Sequence, residues 1–132
     1  MGLSQKETYK RLIDSFRLRL DDECNWWGRF RGPYDSDEAA DPRVDFHDFL
    51  LRTENKELRW AVHTEKGLLP KWWNEEKRAE CEKIAGAKAN RGGLYYKTEK
   101  ADIIEAYGDS TMPMKLRLLA DIVEGKTLMG GP

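Results

Sequence analysis

Cysteine is scarce in this sequence, which contains only Cys24 and Cys81. A small secreted domain held together by disulfides needs more cysteines than this. We therefore expect reduced thiols and an intracellular protein, located in the cytoplasm or the nucleus. The only histidines are His47 and His63. Neither the cysteines nor the histidines have the C-x-x-C or H-x-x-x-H spacing that structural zinc sites usually show, so no metal and no cofactor is predicted.

Long apolar runs are missing too. No window reaches the roughly 18 consecutive apolar residues that a membrane-spanning helix needs, and no apolar signal segment follows Met1. Neither sign of charge dominates, because 23 Lys and Arg stand against 24 Asp and Glu. The sequence thus predicts no membrane partner and no strong general attraction to the phosphates of DNA.

Catalytic motifs are also absent. The chain has no G-x-S-x-G nucleophile motif and no glycine-rich phosphate loop that ends in Lys-Ser or Lys-Thr. His47 is of a residue type that can act as a general base, but its spacing to other residues indicates no catalytic partner. We therefore predict that the protein is not an enzyme.

Helical patterning is what the sequence does contain. Hydrophobic residues make up 39% of the 132 positions, which is enough for one core in a chain of this length. We predict one all-α domain, 1–132, with about five helices around one core and a mobile tail at 126–132. The helices are expected at about 4–24, at 42–53 with a further stretch to about 65, and at 75–85, 98–107 and 111–125.

Capping residues and apolar stripes support these ranges. Ser4 and Glu7 fit a capping box, Asn74 and Thr98 are good N-caps, and Gly125 suits a C-terminal position. Apolar residues recur at helical spacing, which marks the side of each helix that faces the core. The predicted core-facing residues of the first two helices are Tyr9, Leu12, Ile13, Phe16 and Leu20, then Phe46, Phe49, Leu50 and Thr53. Those of the later helices are Ala79 and Ile84, with Cys81 left open, and then Met112, Leu116, Leu119, Ala120 and Val123, a stripe that Leu118 and Ile122 widen.

Residues 25–41, NWWGRFRGPYDSDEAAD, are predicted to form a long loop because glycine and proline interrupt them repeatedly. At its start, three aromatic residues alternate with two arginines: Trp26, Trp27, Arg29, Phe30 and Arg31. Aromatic rings interleaved with guanidinium groups are typical of proteins that bind single-stranded nucleic acid. In the alternative interpretation, the arginines pair with the acidic residues at 21–23 or stack on the tryptophans.

A second tryptophan pair, Trp72 and Trp73, follows Pro70 in the stretch LLPKWWNEEK. Neighbouring side chains point about 100° apart on a helix, so we do not expect the two indoles to share one pocket. At least one member of each pair should be almost fully buried. We place Trp72 in the core, beside Leu68 or Leu69. Trp73 is expected to pack locally as a hydrophobic staple, and the alternative is that one indole of each pair lines a peptide-binding groove.

Several stretches, taken in order, resemble a family of fungal proteins. They are YKRLIDSFRLRLDDE, DFHDFL, GLLPKWWNEEKRAECEKIA and EKADIIEAYGDSTMPMKLRLLADIVEG. This arrangement is similar to the region that follows the MYND-type zinc finger in a group of largely uncharacterised fungal proteins, and it covers about residues 9–125. The finger itself needs many more cysteines than this chain has, so zinc binding cannot be carried over. The resemblance implies an intracellular fungal protein-interaction region without catalytic residues.

Together these observations predict a non-catalytic adaptor domain that binds another protein. The alternative is a domain that binds single-stranded nucleic acid through residues 25–31. The candidate binding residues are Trp26, Trp27, Arg29, Phe30, Arg31 and Trp73.

Overall fold

The structure, a computed structural model, describes residues 4–35, 41–63 and 69–125, with the side chains of 57–63 left out. These ranges contain five α-helices, one short 3-10 helix and no strand, so the predicted all-α class is confirmed. The predicted tail at 126–132 lies outside the described residues. The helices are α1 Gln5–Trp27, α2 Pro42–His63, α3 Glu75–Ala85, α4 Lys100–Tyr107 and α5 Met112–Glu124, and the 3-10 helix is Gly32–Tyr34.

Helix α1 is the central element of the fold. Ser4 caps its start by accepting the N–H of Glu7 at 3.1 Å, as the sequence predicts. Every residue from 12 to 23 is buried, and because successive residues point about 100° apart, this stretch is covered on all sides. The helix continues three residues beyond its predicted end and stops at Gly28, whose left-handed φ of 64° favours glycine. Trp26 and Trp27 therefore lie on α1 and not in a loop.

Helix α5 lies along α1 in the same direction. The hydroxyl of Ser15 donates to the carbonyl of Leu116 at 2.8 Å, and later on both helices Arg19 binds Asp121 at 2.8 Å. Most of the predicted α5 stripe is buried, and Leu119 and Ile122 are half-buried. Leu118 is exposed, so its predicted place on the core-facing side of α5 is wrong. The buried members of the stripe are Met112, Leu116, Ala120 and Val123.

Helix α2 is continuous where the sequence left open a break after residue 53. Three phenylalanines form the centre of the core, because the ring of Phe16 on α1 lies 5.3 Å from those of both Phe46 and Phe49. A smaller apolar cluster lies between α1, α4 and α5. Its members are Leu18, Ile103, Met112 and Leu116, with Tyr107 packed against them.

Helix α3 begins as predicted but turns a different side to the core. Asn74 caps it by accepting the N–H of Lys77 at 2.9 Å. Cys81 and Ala85, one turn apart, are the buried residues. Ala79 and Ile84 are exposed, so their predicted core position is wrong. Helix α3 contacts the core only along a narrow strip that contains its two buried residues. Residues that point to either side of this strip face solvent.

The start of α4 also differs from the prediction by one residue. Glu99, not Thr98, is the N-cap, and it forms a capping box with Asp102. Thr98 is buried instead, and its carbonyl accepts the hydroxyl of Tyr34 at 3.0 Å.

Among the described residues, no helix is long and apolar enough to cross a membrane.

Candidate functional site

The end of α1 presents two large apolar side chains to solvent. Trp26 is 60% exposed and Phe30 is 58% exposed. Between them, the chain turns at Gly28, and the N–H of Arg29 returns to the carbonyl of Glu23 at 3.0 Å. The Arg29 side chain is also exposed. We call Trp26, Arg29 and Phe30 the aromatic end of α1.

Trp27 is held against the interior. It is half-buried, and the guanidinium carbon of Arg19 lies 5.5 Å from the centre of its ring. That guanidinium is itself fixed by Asp121 at 2.8 Å and Glu23 at 3.4 Å. Trp27 therefore supports the end of α1 and offers only part of its surface to a ligand.

Arg31 is bound inside the protein as well. Its Nε donates to Oε1 of Glu23 at 2.9 Å and its Nη2 donates to Oε2 at 3.2 Å. Its guanidinium carbon also lies 5.9 Å from the ring centre of Phe16. The sequence left two possibilities for the arginines, pairing with the acidic residues at 21–23 or stacking on the tryptophans. Arg31 pairs with an acidic residue.

The acidic residues near the end of α1, Asp21 to Glu23, are buried and accept hydrogen bonds from side chains of other segments. Tyr34 donates its hydroxyl to Asp21 at 2.9 Å. Arg117 on α5 donates to both carboxylate oxygens of Asp22, at 2.9 and 3.0 Å. Burial raises the pKa of Asp22 above its usual value, against the lowering effect of the bonds from Arg117. These carboxylates therefore serve the fold and are not presented to a cationic ligand.

Both members of the second tryptophan pair contact the same aromatic residue of α1. The ring of Tyr9 lies edge-on to both indoles, 5.9 Å from Trp72 and 6.0 Å from Trp73. Trp73 also donates its indole N–H to Glu54 at 3.2 Å, and Glu54 binds Arg78 at 2.7 Å. Trp73 is thus fixed on its polar edge as well as on its ring.

Neither tryptophan pair meets the burial prediction. Trp72 and Trp73 are both half-buried, as is Trp27, and Trp26 is exposed. The expectation that one member of each pair is almost fully buried is therefore wrong. The expected separation of Trp72 from Trp73 is wrong as well, because the turn from Pro70, whose carbonyl accepts the N–H of Trp73 at 3.1 Å, brings both rings against Tyr9.

Two adjoining cavities lie elsewhere on the surface, between α1, α3 and the segment that leads to α4. One has a volume of about 260 Å³ and apolar walls that include Ile13 and Ile84. The other has a volume of about 270 Å³, and its walls include Arg91 and Lys97. Lys10 and Gly92 line both cavities, so the two cavities lie side by side in one region of the surface. We call this region the groove.

The segment that walls the groove is fixed by hydrogen bonds. The sequence predicts a flexible connection at 86–94, but the side chain of Asn90 donates to the carbonyl of Ile84 at 3.1 Å and accepts the N–H of Gly92 at 3.0 Å. The N–H of Leu94 returns to the carbonyl of Ala85 at 2.9 Å. Further along, Arg17 donates to the carbonyls of residues 96 and 97 at 3.2–3.3 Å. The groove is therefore formed in the free protein.

Among the described residues, the titratable groups with shifted pKa values are dispersed and include both buried and surface groups. Burial, and then the bond to Glu80, raises the pKa of Tyr9 to about 12. Burial also raises the pKa of the Cys81 thiol. His47 contacts Glu82 through Nδ1. Across 4–35, 41–63 and 69–125, no three His, Cys, Asp or Glu residues are grouped in a way that could hold a metal ion.

Comparison of the chain with models of protein families, with curated proteins and with solved structures finds no match. The resemblance to the fungal region that follows the MYND-type finger therefore remains a prediction from the sequence.

Proposed function

We propose that this protein is a non-catalytic interaction domain that binds another protein through the aromatic end of α1. One observation carries the proposal, namely that Trp26 in the last turn of α1 and Phe30 just beyond its end are both exposed, next to residues 12–23 of the same helix, which are all buried. Aromatic side chains on a rigid element are the usual anchors of protein interfaces, because they bury a large apolar area at small cost in conformational entropy.

The arginines favour a protein partner over nucleic acid. Single-stranded nucleic acid is held by stacking together with a track of free cations. Arg31 is bound to Glu23 and Arg19 lies beneath Trp27, which leaves Arg29 as the free cation of the stretch 25–31 among the described residues. A partner surface with an apolar pocket suits this composition better than a phosphate backbone does.

Binding of single-stranded nucleic acid is the second candidate. The observation in its favour is that Trp26, Phe30 and Arg29 are exposed together, so one or two bases could stack there. The sequence resemblance supports the first candidate, because it implies a protein-interaction region. It also implies an intracellular protein, and we include an intracellular location in the proposal.

The experiment compares two variants that remove the same kind of surface. Trp26→Ser/Phe30→Ser removes the aromatic end, and Met114→Ser/Leu118→Ser removes two exposed apolar side chains of α5, which are 59% and 54% exposed. Each immobilised protein is incubated with native extract, and the bound proteins are identified by mass spectrometry. We expect proteins that bind the wild type and the α5 variant but not the aromatic variant.

Labelled oligothymidine and oligouridine, followed by fluorescence anisotropy, distinguish the two candidates. We expect weak binding that is the same in the wild type and in Trp26→Ser/Phe30→Ser. Binding that disappears in this variant and in Arg29→Ala, and that weakens steeply as salt rises, would replace the protein partner with nucleic acid. If the wild type and the two double variants capture the same set of proteins, the aromatic end of α1 is not the binding surface.

A further inference from the structure

The groove combines an apolar half and a basic half side by side in one region of the surface. In the apolar half, Ile84 is 41% exposed and stands beside the buried Ile13. An exposed isoleucine beside a cavity of about 260 Å³ leaves apolar surface in water, and covering that surface is favourable. This half has room for one large aliphatic side chain.

The basic half carries an excess of positive charge. Its walls contain four basic side chains, Lys10, Arg17, Arg91 and Lys97, and two carboxylates, Asp14 and Asp102. Asp14 is already occupied, because it accepts bonds from Lys10 at 2.8 Å, Arg17 at 2.9 Å and the Tyr107 hydroxyl at 2.8 Å.

The remaining cations lack acidic partners. Within the part of the chain that the structure describes, neither Arg91 nor Lys97 forms an ion pair. The Lys97 ammonium lies 5.1 Å from the centre of the Tyr34 ring, which orients it without neutralising it. An incoming carboxylate can therefore bind two cations without displacing an internal partner.

We propose that the groove binds an acidic segment of a partner protein, which places a large aliphatic side chain against Ile13 and Ile84 and a neighbouring carboxylate beside Arg91 and Lys97. Charge complementarity and the adjoining apolar cavity select this occupant. A nucleic acid has no aliphatic side chain for the first half. This site is separate from the aromatic end of α1 and does not depend on the function proposed there.

Gly92 allows the groove to be blocked without disturbing the fold. It lines both cavities, and a Cβ atom built on it would meet only the Asn90 side-chain oxygen, at an ordinary contact distance of 3.4 Å. The backbone there does not require glycine. Gly92→Val therefore adds bulk at a residue that lines both halves, while the hydrogen bonds of the segment remain possible.

The test uses fluorescein-labelled hexapeptides that carry one leucine followed by two glutamates, measured by fluorescence anisotropy. We expect saturable binding that weakens about tenfold when leucine becomes serine or when both glutamates become glutamine. Arg91→Glu/Lys97→Glu and Gly92→Val should each weaken binding by at least about tenfold. Lys71→Glu/Lys83→Glu makes the same change in net charge at exposed lysines that line neither cavity, and it should bind like the wild type.

Helical circular dichroism and thermal melting of every variant establish that it is folded. If Gly92→Val does not fold, the charge-reversal pair and its control still decide the outcome. The proposal is overturned by equal binding to the wild type and Arg91→Glu/Lys97→Glu, by no binding of any acidic peptide, or by binding only of oligonucleotides or anionic vesicles. Trp26→Ser/Phe30→Ser should bind the peptides normally, so failure at one surface is distinguishable from failure at the other.

Discussion

Arg31 donates two hydrogen bonds to the carboxylate of Glu23, from Nε at 2.9 Å and from Nη2 at 3.2 Å. Only 3% of the Glu23 side chain is exposed, against 16% for Arg31. The pair ties the segment after α1 back to its last turns. It also separates two arginines that are only two positions apart in the sequence, because Arg29 points into solvent while Arg31 is part of the interior.

The first prediction follows from this separation. Arg31→Ala should lower the free energy of unfolding by about 2–4 kcal/mol, because it leaves a buried carboxylate with a single longer contact to Arg19. Arg29→Ala, the matched control, should change it by less than about 0.5 kcal/mol. Urea unfolding followed by circular dichroism measures both. Equal effects of the two substitutions would mean that the Arg31–Glu23 pair adds nothing to stability.

Two leucines of α5 provide the second prediction. Leu116 is 2% exposed and Leu118 is 54% exposed, although they are only two positions apart. Leu116→Ala should cost about 2–5 kcal/mol because it leaves a cavity in the smaller apolar cluster. Leu118→Ala should stay within about 0.5 kcal/mol. Chemical unfolding of both variants is the measurement, and a costly Leu118→Ala would indicate that this side of α5 is covered in solution, for example by a second copy.

The shared contact with Tyr9 gives the third prediction, which replaces the sequence-based placement of Trp72 in the core and of Trp73 as a local staple. Since both indoles are half-buried against the same ring, each substitution by alanine should cost about 2–3 kcal/mol, which is below the value for a fully buried tryptophan. Trp73→Ala also removes the bond to Glu54. The double variant should depart from additivity by at least about 0.5 kcal/mol. Additive costs in a double-mutant cycle would argue against the common contact.

The fourth prediction concerns pH. The hydroxyl and N–H of Thr111 both donate to Asp109, at 2.7 and 2.8 Å, and they lower the pKa of this carboxyl from 3.8 to about 2. A pKa lowered by folding stabilises the protein above the unfolded value, and the effect is lost as pH falls through the folded value. The difference in unfolding free energy between the wild type and Asp109→Ala should therefore shrink as pH falls from about 4 to about 2.

Carbon-detected NMR titration measures the same group directly. The pKa of Asp109 should be near 2 in the wild type. In Thr111→Val it should lie higher, because the hydroxyl donor is removed while the backbone donor remains. An unchanged pKa in Thr111→Val would assign the shift to the backbone bond or to Lys115, 3.3 Å from the carboxylate.

Local signals predicted most of the helices. The caps at Ser4 and Asn74 are correct because each acts within three residues of its own position, and the α1 stripe is correct because it is long and regular. The side of α3 that faces the core was predicted wrongly at Ile84. This helix contacts the core along one narrow line, which its short and mostly polar sequence does not reveal.

The groove could not be predicted for a different reason. It joins Ile13 and Arg17 of α1 to Ile84, Arg91 and Lys97, which lie about 70 to 80 positions later in the chain. No periodicity or spacing motif relates such positions. In the groove, Ile84 is an apolar residue that is exposed to water, and this exposure becomes visible only when the helix is placed.

The pairing of α1 with α5 has a consequence for synthesis on the ribosome. The bond between Ser15 and Leu116 spans 101 positions, and that between Arg19 and Asp121 spans 102. Helix α1 therefore receives these neighbours only after α5 has been translated and has left the exit tunnel. Until then Asp22 lacks Arg117 and Leu18 lacks Leu116, so the nascent chain must complete its core in one late step, and a translation pause before Met112 would expose α1 to chaperones or to other chains.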